Sequence, residues 1–136
     1  MKYKIDVVRI RENSIELNGW VIGKTPQSRA EFQVQDGNRE PVEFRYVATR
    51  RDDVSQIYYK QVYDRDYGFD IRFPYTRGAD YWLLIRCDGK TARIKFNEEL
   101  IAKRASVAHK RMEKIRDLMN METVRVAVDF GKKHGL

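Results

Sequence analysis

Hydrophobic periodicity changes once along this sequence, and that change limits the folds open to it. Through residues 1–96 apolar side chains recur at every second position, the spacing that puts them on one face of an extended strand. From Asn97 onward they recur at alternating steps of four and three, the spacing of a helical stripe.

The alternating faces are Tyr3, Ile5 and Val7, then Ile15, Leu17, Gly19 and Val21, then Ala30, Phe32 and Val34, then Val42, Phe44, Tyr46 and Ala48. Tyr67, Phe69, Ile71 and Phe73 follow, then Tyr81, Leu83, Ile85 and Cys87, then Ala92, Ile94 and Phe96. About seven short strands at this rhythm predict an all-β antiparallel sandwich, immunoglobulin-like or jelly-roll-like, over residues 1–96. The intervening positions Glu31, Gln33 and Gln35, Asp70 and Arg72, and Thr91, Arg93 and Lys95 are polar, as expected of sheets wet on one side. Asp36-Gly37-Asn38 and Asp88-Gly89 supply residues that tolerate positive φ, which predicts two hairpins. Residues 49–66 form one long irregular stretch with room for a short helix.

A helical extension is expected over residues 97–136. Asn97 is placed to cap it, with Glu98 and Glu99 in the first turn where the helix dipole favours acids. Ile101, Ala105, Ala108, Met112, Ile115 and Met119 form its apolar stripe, which packs on this domain's sheet, a second copy or a downstream domain. A break near Asn120 precedes a second amphipathic segment through Val124, Val128 and Phe130 that ends at Gly135.

The chain of 136 residues suits one main core, and 42% hydrophobic with 35% charged residues is too apolar for disorder and too interrupted by charge for a membrane span. Asp6 stands where the apolar region of a signal peptide would begin, and Cys87 is the only cysteine, which points to a reducing, cytoplasmic setting. The net charge of +7 raises nucleic acid as a partner, but the basic residues are dispersed through both parts of the chain rather than clustered.

Catalytic chemistry is poorly supplied. The only histidines, His109 and His134, fall in the extension, and one cysteine with two distant histidines matches no zinc spacing. No metal, cofactor or catalytic residue is expected. Asp64-Arg65-Asp66 has the spacing of a pair that holds a divalent cation, but no strand-helix alternation or glycine-rich phosphate turn precedes it, so a turn is the better account. Aromatic residues off the core register are the more promising candidates. Trp20 and Trp82 face away from their apolar neighbours, which suits either stacking on a sugar ring or burial beneath the long loop or the extension. Tyr58, Tyr59 and Tyr63 either stack ligands beside Arg50 and Arg51 or pack a cap over the core, with Asp53 held by an arginine or loop amides and Val54 as an apolar plug.

Gly19-Trp20, Arg51-Asp52-Asp53-Val54 and Gly68-Phe69-Asp70-Ile71, in this order and spacing, resemble the N-terminal accessory β-sandwich region of bacterial family 2 glycosyltransferases. Val124 to Val128 and Lys132 to Leu136 look like the linker that leads such proteins into a nucleotide-sugar-binding catalytic domain. The resemblance implies a non-catalytic module serving cell-surface polysaccharide synthesis, which binds glycan or positions a catalytic domain lying beyond these residues. A dimerisation module working through the Ile101 to Met119 stripe is the second expectation. Weak single-stranded nucleic-acid binding is the third.

Overall fold

The computed structural model describes residues 1–104, so Ala105, Ala108, His109, Met112, Ile115, Met119, His134 and the second amphipathic segment lie outside the described residues. In chain order the elements are β1 (Lys2–Arg11), β2 (Ser14–Ile22), β3 (Glu31–Asp36), β4 (Arg45–Thr49), α1 (Asp52–Tyr59), β5 (Gly68–Pro74), β6 (Tyr81–Cys87) and β7 (Lys90–Phe96). They build two wholly antiparallel sheets, one ordered β1-β2-β5-β4 and the other β3-β6-β7. Among the described residues no helix is long and apolar enough to cross a membrane.

The alternating faces close on one another. Ile15 and Leu17 of β2 and Phe69, Ile71 and Phe73 of β5 share one core with Val34 of β3, Leu83 and Ile85 of β6 and Phe96 of β7. Complete burial of side chains this size contributes about 1.5–3 kcal/mol each before entropy is counted. Gly19 fits the same logic by its lack of a side chain, since a Cβ there would come within 2.8 Å of the Phe69 ring and 2.1 Å of the Lys4 carbonyl.

Three departures from the alternation have local causes. A β-bulge between Ile5 and Val7 inserts Asp6, so Ile5 and Val8 face the core and Val7, placed inward by simple alternation, turns to the outer face. The Asp36-Gly37-Asn38 turn does form, with Asp36 Oδ1 accepting from the amides of Asn38 at 2.8 Å and Glu40 at 3.0 Å, but it makes no hairpin of β3 with β4. The chain pairs with β3 only through the Gln35–Pro41 bridge, flanked by the Val42 amide donating to the Val34 carbonyl at 2.8 Å, and then leaves for the other sheet. β4 is accordingly a five-residue edge strand that pairs only with β5, and Tyr46, expected inside, is 46% exposed.

The β6–β7 hairpin turns at Asp88 and Gly89, whose φ angles of 54° and 75° need the residue types found there. Residues 98–104 are helical, and Asn97 caps them with its Oδ1 accepting from the Leu100 amide at 2.8 Å. Ile101, first of the apolar stripe, is buried in the core of the sheets themselves rather than left open for a second chain.

Candidate functional site

α1 lies between β4 and β5 and is seated on the outer face of β2. Val54 is 2% exposed and Trp20 7%, and the two join Ile22 and Tyr67 in a second apolar cluster. Tyr58 covers the indole, with ring centroids 5.2 Å apart, and Lys2 lies 4.8 Å from the other ring of the pair, that of Tyr58. A tryptophan covered in this way has no face left for a sugar; of the two uses open to Trp20, burial beneath the loop is the one the structure places.

Arg51 fixes the start of the helix. Its Nε and Nη2 donate to the two oxygens of Asp53 at 3.0 and 2.9 Å, and Nη1 donates to Asp6 at 2.8 Å. The bulge in β1 is what aims Asp6 here. These carboxylates hold the guanidinium even more firmly protonated than usual, and Arg51 in return holds Asp53 below the ordinary carboxylate range. Gly68 makes room for this arrangement, because a Cβ would meet Thr49 Oγ1 at 2.2 Å and Arg51 Cγ at 2.7 Å. Trp20, Arg51, Asp53, Val54 and Gly68, scattered in sequence, thus form one structural joint on the outer face, while Gly19 and Phe69 meet on the core side of the same sheet.

The remaining loop candidates are occupied as well. Tyr59 donates its hydroxyl to the carbonyls of Gly23 at 2.7 Å and Thr25 at 3.0 Å, and its ring packs against Tyr63 and Tyr67. Arg50 pairs with Asp52 and Asp64, so Asp64 of the Asp-x-Asp pair is an ion-pair partner. Among the described residues no cluster of histidine, cysteine, aspartate or glutamate is arranged to hold a metal. Cys87 is buried, and burial pushes its thiol up. Trp82, on the outer face of β6, lies 4.8 Å from the Arg93 guanidinium and 5.7 Å from the Lys95 amine.

Open space lined by polar groups is found at the other end of the β2–β5 pair. A cavity of about 590 Å³ lies between the β1–β2 turn, the end of β5 and the segment entering β4, within the range of small-ligand pockets. Arg11, Arg45 and Arg72 line it, along with Glu12, Glu43, Phe44 and Pro74. The strand order makes this possible: Glu16 is paired with Arg72, and Arg72 with Arg45, in one cross-strand row on the outer face.

Glu16 is 7% exposed. Its Oε1 accepts from Arg72 Nη2 at 3.2 Å, and its Oε2 lies 3.7 Å from Arg11 Nε. Asp70 holds the other side of Arg72, at 3.7 Å from Nε. The half-exposed Arg72 guanidinium is therefore oriented from beneath by a hydrogen bond to a buried carboxylate, which reduces the freedom it loses on meeting a ligand, while Arg11 stands at ion-pair distance from the same carboxylate. Arginine donors, glutamate acceptors and the apolar surfaces of Phe44 and Pro74 make a wall that can hydrogen-bond hydroxyls and cover C–H faces.

The sequence matches no family model and no curated protein. None of Glu16, Arg45 and Arg72 stood out as a site residue in sequence, since each reads as ordinary outer-face polarity. The available signal was Glu16 itself, an acid within the β-forming run Ser14–Ile22.

Proposed function

We propose that residues 1–101 form a non-catalytic glycan-binding module with an immunoglobulin-like topology, the accessory domain of a bacterial glycosyltransferase of the kind the sequence resembles. The topology is supported by the sheet order, because β1-β2-β5-β4 facing β3-β6-β7 is the seven-strand constant-type arrangement, whereas a jelly roll uses eight strands. Tyr81 adds to this. It begins β6 and accepts a hydrogen bond through its hydroxyl from the Thr76 amide at 2.9 Å, the position and contact of a tyrosine corner.

The observation that carries the glycan reading is Arg72, clamped over buried Glu16 at the wall of an open cavity that also has apolar surface. Charge selects among ligands. Arg11, Arg45 and Arg72 share the lining with Glu12 and Glu43, and Glu16 beneath Arg72 offsets the remaining charge, so the cavity has little excess to attract a phosphate chain and a neutral polyhydroxylated ligand suits it better. The module's role is to hold acceptor glycan near a catalytic domain supplied elsewhere in the protein.

Amide chemical-shift titration with neutral oligosaccharides tests the reading. Saturable shifts are expected at Arg11, Ser14, Arg45 and Arg72, and Arg72→Gln should weaken binding at least ten-fold, the value of one hydrogen bond to a charged group. Shifts confined to Tyr58 and Lys2, or no shifts across gluco-, manno- and galacto-configured ligands, would refute it.

A further inference from the structure

Resting on the glycan-binding reading, we infer that the ligand is an oligosaccharide chain occupying two subsites on either side of the Glu12–Asn13 turn, the second of them served by the Tyr75 hydroxyl. A second cavity of about 610 Å³ adjoins the first and shares Glu12, Asn13 and Pro74 with it. The walls it does not share include Ile10, Tyr75, Arg77 and Glu98. Two neighbouring cavities of this size, meeting at one turn, accommodate a chain better than a single ring.

Tyr75 is the independent observation. It is 6% exposed, and its hydroxyl is buried without a hydrogen-bond partner, a condition that leaves a donor and an acceptor unused. Its ring packs on Tyr81 in the core, Arg77 and Glu98 line the same cavity, and burial pushes its titration upward so that it keeps its proton. Arg77 and Glu98 pair with each other at 2.8 Å with the arginine 87% exposed, an arrangement that opens without disturbing the core. A sugar hydroxyl entering there meets a donor, an acceptor and the apolar side of Ile10.

Glu12 marks the same place in the backbone. Its φ of 46° lies in the left-handed region that an L-residue with a long side chain rarely adopts, and it lines both cavities. This φ belongs to the two-residue turn of the β1–β2 hairpin, which the Arg11–Ser14 pair closes and which sets the shared wall of the two cavities.

The test is calorimetric titration of residues 1–136, wild type and Tyr75→Phe, with neutral gluco- and manno-oligosaccharides of two, four and six sugars. Wild type should bind the tetrasaccharide about ten-fold more tightly than the disaccharide, the value of about one further buried hydrogen bond with its contacts. Tyr75→Phe should keep the disaccharide affinity and lose most of that gain. Equal wild-type affinities at all lengths would overturn the two-subsite inference and leave the first cavity's reading standing. A full length-dependent gain in Tyr75→Phe would remove Tyr75 from the second subsite, and no binding at any length would overturn both.

Discussion

Removing the charge of Glu16 is the sharpest test of how the cleft is built. At the observed 3.2 Å between Glu16 and Arg72, Coulomb's law gives about 5 kcal/mol at an effective dielectric constant of about 20 and about 1.3 kcal/mol in water. Glu16 is nearly buried, but the Arg72 side chain is 48% exposed, so solvent screens the pair and the lower end governs. A double-mutant cycle of Glu16→Gln and Arg72→Gln should therefore return a coupling of about 1–2 kcal/mol. Glu16→Gln keeps the side chain's shape and one acceptor oxygen, so the domain should still fold while its melting temperature falls by roughly 4–8 °C per kcal/mol lost. Urea denaturation of the four proteins measures the coupling. A value of zero within error would mean that Arg72 is not oriented by Glu16, and the case for preformed donors would fail with it.

Val54→Ala removes two methyl groups from a fully packed contact with Trp20 and should cost about 2–3 kcal/mol, with a red-shifted tryptophan emission as the gap admits water. Unchanged stability and emission would show that α1 is not seated on Trp20. Asp88 accepts from the Lys24 amide and the Ser28 hydroxyl, which hold its carboxyl below the ordinary carboxylate range in the fold. Its contribution to stability is thus complete above the unfolded-state value of about 4 and disappears as pH falls through the lower folded value, so Asp88→Asn should flatten the acid limb of the stability curve below about pH 4. An unchanged acid limb would contradict this. Glu12→Gly should raise stability by roughly 0.5–1 kcal/mol, because relief of the left-handed backbone outweighs the added freedom of the unfolded chain, while weakening oligosaccharide binding. Lower stability on thermal melting would show that the turn is not strained.

Alternation read β2, β5, β6 and β7 well, because their inward faces meet in the one core between the two sheets. Ile15 and Leu17, Ile71 and Phe73, Leu83 and Ile85, and Ile94 and Phe96 face the core as period two requires. It failed at β1, where an inserted Asp6 breaks the count without changing composition, whereas at β4 the register holds, with Tyr46 paired to Ile71 and Ala48 to Phe69, and Tyr46 is exposed because the strand is an edge. Trp20 illustrates a different limit. Its outward direction was legible, but the helix that covers it comes from residues more than thirty positions later, and its seating depends on Arg51, Asp6 and Gly68 meeting in space. The cleft was less legible still, since Glu16, Arg72 and Arg45 become a row only when β2, β5 and β4 lie side by side.

Glu16 and Trp20 stand on the same face of β2, about 13 Å apart along the strand, and both are 7% exposed, yet the cause of burial differs. Over Trp20 the cover is α1, which supplies Val54 and Tyr58 and leaves no room for another molecule. Among the described residues, Glu16 is instead paired with the side chains of Arg11 and Arg72, which are 62% and 48% exposed. A helix that protected the whole face would have used an apolar residue at position 16, as it does at position 20. The charged residue instead holds the Arg72 guanidinium at the wall of the cavity, and half of this face is accordingly built for packing and half for contact with something polar.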